Sequence, residues 1–230
     1  MRKKGFTLAE VLITLVIIGV IAAMTIPSLI NKTNEQETVV AVKKAFTIIS
    51  QAYQKIFAEN GEINPSMLGD RNSEATKTLG EMFARQLNTQ KVCGMDTSGD
   101  CFSTQNNGMY KDFVGNDWQV MNASNTYKMV LSDGIAVSVR GYMTYNSYGT
   151  SEALQNCFGE VIVDVNGDKG PNAQGKDVFK FRLTKFGVLP SGTQEDTDNP
   201  PENCRTAGLA CTAWVITNGN MDYMTKNISW

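Results

Sequence analysis

Three groups of residues in this 230-residue chain have the types and spacing for chemistry. The first is Glu10, a carboxylate at the head of an apolar run, behind the basic cluster Arg2, Lys3 and Lys4. A carboxylate carried into a bilayer costs roughly 2.5–3.5 kcal/mol even on lenient scales. It therefore needs either a positive partner or a place near the headgroups and the positive end of a helix dipole. The second group is Asp164, Asn166 and Asp168, with Asp177 nearby. Oxygen side chains at the first, third and fifth positions of a loop are how calcium sites begin. Lys169 stands where an EF-hand has its sharp-turn glycine and Gly175 where it has its bidentate glutamate. Asx-rich turns also arise for backbone reasons alone, so a calcium loop and a plain turn are both open readings.

The third group is the five cysteines, Cys93, Cys101, Cys157, Cys204 and Cys211. Two close pairs and one odd residue suit an oxidising, exported location. The local pairings Cys93–Cys101 and Cys204–Cys211 are preferred, although spacing does not fix connectivity, and reduced buried thiols are the alternative. On a regular helix the α-carbons of Cys204 and Cys211 would lie about 10.5 Å apart, beyond the reach of a disulfide. Their pairing requires a chain reversal, which Gly208 allows. The chain has no histidine, so Ser-His-Asp and Cys-His nucleophiles and every histidine metal site are excluded. Cys157 as a nucleophile would lack an imidazole partner. No nucleophile elbow or glycine-rich phosphate loop is present. Lys and Arg (21) do not exceed Asp and Glu (23), which argues against nucleic acid as a partner held by bulk charge.

The element that positions Glu10 is the uncharged stretch Val11–Ile30. Twenty helical residues span roughly 30 Å, the hydrocarbon thickness of a bilayer. The short basic flank places Met1–Lys4 in the cytoplasm and the rest of the chain across the membrane. An ordinary secretory signal cut near Ala22-Ala23, or a plain anchor, would have the same apolar length but no use for Glu10.

Residues 5–10, Gly-Phe-Thr-Leu-Ala-Glu, follow Arg-Lys-Lys and precede the apolar run. This segment resembles the prepilin signal of type IV pilins and of the pseudopilins of type II secretion systems. The resemblance covers about residues 1–55, and Gly19 and Pro27 fall where many members carry a helix-loosening glycine and proline. It implies that a prepilin peptidase cuts between Gly5 and Phe6 and methylates the new amine of Phe6. It further implies that the helix serves first as a membrane anchor and then as filament core, with Glu10 of one subunit meeting the terminal amine of its neighbour. The partners implied are that peptidase, other copies or related subunits, and the assembly machinery of a bacterial inner membrane. Some pseudopilins hold calcium in a sheet loop.

Beyond Ile30, the residues Val39, Val42, Phe46, Ile49, Tyr53 and Ile56 recur at helical steps. They predict one helix from about Thr7 to Glu59, stopped at Asn60-Gly61, whose second half is the spine of a soluble domain. A further helix is expected around Leu79–Leu87 with Ser73 as its cap, followed by loop over 91–125. Strands are expected at Tyr127–Leu131 and Ile135–Tyr142 about the turn Ser132-Asp133-Gly134. More follow at Glu160–Val165, Val178–Leu183 and Phe186–Leu189. Strands in series after a long helix predict an α+β fold, a long helix on an antiparallel sheet, pilin-like. The expected organisation is a leader at 1–5, a membrane or filament helix at 6–30 and a globular domain at 31–230. The function expected is that of a structural, non-enzymatic filament subunit, anchored by a single pass with its domain outside the cytoplasm. A membrane-anchored or secreted calcium-dependent binding module is the alternative.

Overall fold

The computed structural model describes residues 7–96, 101–102, 110–118, 121, 123–167 and 169–228. The chain divides into two compact units, Met1–Glu37 and Thr38–Trp230. Helix α1, Leu8–Asn60, contributes to both. In the first unit its stretch Val11–Ile30 carries no charge, and Leu12, Ile13, Leu15, Val16, Ile17 and Ile18 are each more than half exposed. This stretch is long and apolar enough to cross a membrane. Its few hydroxyls are silenced locally, Thr14, Thr25 and Thr33 each donating to a carbonyl one turn back.

In the second unit α1 buries one stripe. Val39, Val42, Ile49, Tyr53 and Ile56 are almost fully covered, with Ala45 and Ala52 between them, while Phe46 at the margin packs its ring 5.5 Å from that of Phe181. The Tyr53 hydroxyl donates to the Thr184 carbonyl at 3.0 Å. The helix stops where Gly61 takes a left-handed φ of 76° and donates its N–H to the Phe57 carbonyl.

The chain continues through α2 (Asn72–Gln86), β1 (Thr89–Gly94), β2 (Tyr110–Lys111), β3 (Asp117–Trp118), β4 (Tyr127–Leu131) and β5 (Ala136–Asn146). Then come α3 (Glu152–Gln155), β6 (Cys157–Asp164), β7 (Val178–Thr184), β8 (Gly187–Pro190) and α4 (Cys211–Asn218). Six strands form one sheet in the order β1-β4-β5-β6-β7-β8, each neighbouring pair antiparallel, and β2 with β3 forms a separate ribbon. The long helix on an antiparallel sheet is the α+β architecture expected, consistent with a pilin-like fold. Three local differences have physical reasons. The second helix begins at Asn72 rather than after Ser73, with Arg71 at the cap making no side-chain bond. Strand β1 overlaps the segment 91–125 read as loop, and β2 and β3 lie within it, because the polar residues of β1 lie on an edge strand and β2 and β3 are only two residues each. Strand β6 starts at Cys157, three residues earlier than expected, its first residue pairing across a bulge with Thr184.

Helix α2 sits close on the sheet because two glycines let it. A Cβ on Gly80 would lie 2.1 Å from Cγ of Tyr127, and one on Gly141 would lie 2.5 Å from the Ala75 carbonyl oxygen. At that contact the Thr76 hydroxyl donates to the Gly141 carbonyl and accepts from its N–H. Helix propensity alone would make Gly80→Ala stabilising by about 1 kcal/mol. The clash with the base of the Tyr127 ring reverses that sign, by overpacking that costs about 1–3 kcal/mol. A lower denaturation midpoint for Gly80→Ala is expected; a higher one would refute this packing.

Both faces of β6 and β7 are buried. One face carries Val161, Val163, Phe179, Phe181 and Leu183 into the core with α1. The other carries Glu160, Lys180 and Arg182, which must find partners in the interior. Lys180 Nζ lies 2.8 Å from Glu160 Oε2 and Arg140 Nη1 lies 3.7 Å from Oε1. The Arg182 guanidinium meets Asp196 at 3.3 Å and Asp198 at 2.6 Å, and lies 4.0 Å from the ring centroid of Tyr148. Burial by itself would raise the Glu160 carboxyl, but the Lys180, Arg182 and Arg140 charges outweigh it and hold the group below the usual glutamate range. A carboxyl depressed in the folded state contributes stability that is present above the unfolded value of 4.5 and is lost as the pH falls below it. Glu160→Gln should destabilise by about 3 kcal/mol at neutral pH, because it leaves Lys180 buried without its counter-charge. The variant should also lose part of the acid-induced fall in stability. Melts of both proteins between neutral and acid pH test this, and parallel curves would remove Glu160 from the account.

Candidate functional site

The cleavage and methylation residues of the sequence reading, Gly5 and Phe6, lie outside the described residues. The first described turn shows what holds Glu10. The Thr7 N–H and hydroxyl both donate to Glu10 Oε2 at 2.8 Å, and the Glu10 N–H donates back to the Thr7 hydroxyl at 3.2 Å. This is a reciprocal helix cap, formed by the spacing Thr7-x-x-Glu10. The spacing is present in the sequence, but the reading of Glu10 as paired with an amine, or placed near headgroups and the helix dipole, does not use Thr7. Gly19 and Pro27 both lie within the helix. A Cβ at Gly19 would meet nothing within 4 Å, and Pro27 has no N–H to give the carbonyl one turn before it.

The second assembly lies between β6 and β7. Asp164 ends β6 and Asp177 immediately precedes β7; both are essentially fully buried. Asp164 Oδ1 accepts the N–H groups of Asn166 at 3.2 Å and Gly167 at 3.1 Å. Asp177 Oδ1 accepts the Ala173 N–H, while Oδ2 accepts the Asn172 N–H at 2.8 Å and the Asn166 side-chain amide at 3.3 Å. Burial, and then the Asp177 charge, push the Asp164 carboxyl well above the usual range. Burial pushes Asp177 up to about 6. Three buried oxygens in this loop have no hydrogen-bond partner: Asp164 Oδ2, Asn166 Oδ1 and Asn172 Oδ1.

The structure thus brings Asp164, Asn166 and Asp177 together, and adds Asn172, which nothing in the spacing singled out. Asp168 lies outside the described residues. Among the described residues no three of His, Cys, Asp and Glu gather as they would to hold a metal ion. The donors here are two carboxylates and amide oxygens, all hard ligands. Buried oxygens without donors fit a hard cation of the calcium class.

Disulfides join Cys93 to Cys101, with α-carbons 5.9 Å apart, and Cys204 to Cys211, with α-carbons 4.6 Å apart. The second closes across Gly208, whose φ is 86°. Cys157 is a buried free thiol that donates to the Leu154 carbonyl, and burial pushes it up to about 11. Such a thiol is inert rather than nucleophilic.

Residues 1–26 match the family model for the prokaryotic N-terminal methylation motif. The chain carries a prepilin-type signal. That signal is the cleavage and methylation motif of type IV pilins and pseudopilins, and it supports a pilin-like protein processed at its N terminus. It points to a structural subunit rather than an enzyme, and with the apolar helix it fits a membrane-anchored, single-pass protein. No curated protein and no solved structure matches the chain.

The cysteine arrangement has a direct readout. The native prepilin-type chain should take no alkylating label at about pH 8, since its one thiol is buried and protonated. Denatured without reductant it should take one label per chain, at Cys157. Peptide mass spectrometry that found label on Cys93 or Cys204 would contradict the bridges.

Proposed function

We propose that this chain is a filament subunit, a pilin or pseudopilin, assembled into a type IV pilus or a type II secretion pseudopilus. The observation that carries the reading is the methylation motif at the head of a helix whose first half is uncharged and exposes its apolar side chains. Residues 1–5 are the leader. A prepilin peptidase at the bacterial inner membrane hydrolyses the Gly5–Phe6 bond on the cytoplasmic side and methylates the amine of Phe6. Loss of Arg2, Lys3 and Lys4 removes the positive side chains that hold the segment inside. Residues 6–30 then anchor the subunit until neighbouring copies, or related subunits, replace lipid around it. Gly19 and Pro27 soften the helix for that exchange. Residues 31–230 form the domain outside the cytoplasm, and the filament acts by assembly and not by catalysis.

In this reading the terminal amine of one subunit and Glu10 of its neighbour share one apolar layer. Each is costly alone, and each is the natural partner of the other. Calcium is the second element, favoured by the three unpartnered oxygens. Asp164, Asn166 and Asp168, with Asp177, would hold it, and it would neutralise the buried carboxylates of the loop.

Replacing Gly5 by a bulky residue should leave full-length precursor in the membrane, and normal processing of that variant would refute the cleavage site. Glu10→Ala should still insert and be cleaved, yet assemble poorly, because it leaves an amine unpaired in an apolar layer, a loss on the order of several kcal/mol. Glu10→Gln separates the two roles of the carboxylate. Glutamine can complete the Thr7 cap but carries no charge, so it too should assemble poorly. Wild-type filament yield from Glu10→Gln would remove the charge pair.

A further inference from the structure

Asn172 is the residue in the Asp164–Asp177 loop whose unused side-chain oxygen turn geometry does not account for. It is a buried asparagine with a left-handed φ of 50°, only 8% exposed, and its side-chain oxygen has no partner. Its backbone is fully engaged. The N–H donates to Asp177 Oδ2, and the carbonyl accepts the Lys111 N–H at 3.0 Å. Asp177 Oδ2 also accepts from the side-chain amide of Asn166, so one carboxylate oxygen holds both asparagines within a single hydrogen bond of itself. Using the Asn166 amide as donor leaves that residue's own oxygen unused. The third unused oxygen, on Asp164, belongs to a carboxyl that is wholly buried, is joined to the Asn166 N–H through its other oxygen, and feels the Asp177 charge. Three buried acceptor oxygens without a donor belong to one loop, and a proton or a hard cation is what such a set lacks.

The loop is also the seat of the β2–β3 ribbon. Lys111 in β2 donates to the Asn172 carbonyl and accepts from the Gln174 N–H at 3.0 Å, forming a parallel bridge with Ala173. The Tyr110 side chain lies near the Asp164 carboxyl. Asn172 therefore carries one of the unpartnered oxygens and is also bonded to the ribbon.

Building on the calcium reading of this loop, we propose that Asn172 is a ligand of a calcium-class cation together with Asp164 and Asn166, and that binding there fastens the Tyr110–Trp118 ribbon to the sheet. A cation drawing in the Asn172 side chain fixes the same residue whose carbonyl receives Lys111, so ion binding and ribbon order share one residue. An oxygen-only set of this kind takes calcium in preference to magnesium, which demands a tighter octahedron and gives up its waters reluctantly.

The test uses the full chain in detergent micelles, stripped with chelator and titrated by calorimetry with calcium chloride and, separately, magnesium chloride. Amide hydrogen exchange is followed in parallel. One calcium per chain is expected, with magnesium weaker. Exchange across Tyr110–Trp118 should slow by about tenfold or more on calcium addition. Asn172→Gly keeps the left-handed backbone at no steric cost and deletes the oxygen; it should weaken calcium binding by about tenfold or more and abolish the slowing. Asn172→Asp keeps the oxygen, tolerates the same φ and adds a charge, so it should bind at least as tightly as the wild type. If wild type binds calcium and Asn172→Gly binds equally, Asn172 is not a ligand, although the loop remains a calcium site. Calcium binding without slowed exchange overturns the link to the ribbon. No heat with wild type overturns the calcium reading itself.

Discussion

Strands β6 and β7 are closed to water on both faces, and that closure governs most of what surrounds them. A half-buried antiparallel sheet can put its charges in solvent at every second residue. Here the second face carries Glu160, Lys180 and Arg182, so each needs a partner inside the protein. The 191–199 segment supplies one set. Asp196 accepts from Arg182, from the Ser191 hydroxyl and from the N–H groups of Gly192, Asp198 and Asn199, which makes a single buried carboxylate the knot of that segment. The segment following it is tied to β7 as well: Thr212 of α4 accepts the Lys180 N–H and Ala213 donates to the Ser191 carbonyl. The charges of the second face thus help to order a chain segment that has little regular structure of its own.

The same accounting isolates the Asp164 loop. Glu160, Lys180 and Arg182 all have oppositely charged partners within 4 Å, whereas Asp164 has a like charge near it and an oxygen with no donor. Backbone N–H groups answer part of its need and, with the Asn166 side-chain amide, reach both oxygens of Asp177. An Asx turn explains the bonds the loop makes. It does not explain why a buried carboxylate oxygen and two buried amide oxygens are left over. That residue of unmet acceptors distinguishes this loop from the hairpin turn at Ser132-Asp133-Gly134, where the Asp133 carboxylate has the Ile135 N–H and Lys44 as donors.

Legibility followed periodicity. The stripe from Val39 to Ile56, the β4–β5 hairpin and the β6–β7 pair have apolar residues at regular steps, and all appear close to their expected places. Strand β1 was unreadable because Thr-Gln-Lys at an exposed edge has no apolar alternation, and its pairing to β4 is irregular at two points. Arg182 was unreadable for the opposite reason: a charged residue in a strand reads as a solvent-facing position, and only the fold places Asp196 over it. The close seat of α2 depends on Gly80, which in a sequence looks merely like a weak point in a helix. In the candidate site Asp164 and Asn166 were legible from spacing. Asn172 was not, since a single asparagine after Gly-Pro reads as a turn residue, and its unused oxygen exists only once the loop has closed on Asp177.

In the filament proposed for this chain, Glu10 would carry a local bond and an intermolecular one on a single carboxylate. Both Thr7 donors converge on Oε2 of Glu10. The cap therefore fixes the side chain against its own helix while leaving the lone pairs of Oε1 for a donor from elsewhere. In water that second oxygen costs nothing, because solvent fills it. In an apolar layer solvent is absent, and an ionised carboxylate satisfied on one side alone remains expensive. The cap thus lowers the cost of presenting Glu10 without meeting it in full, and in the proposed filament the remainder would be the driving force available to a neighbour's amine. A carboxylate free to rotate would lose more entropy on pairing than one already held in place. Thr7 so makes Glu10 a more selective contact than its charge alone would.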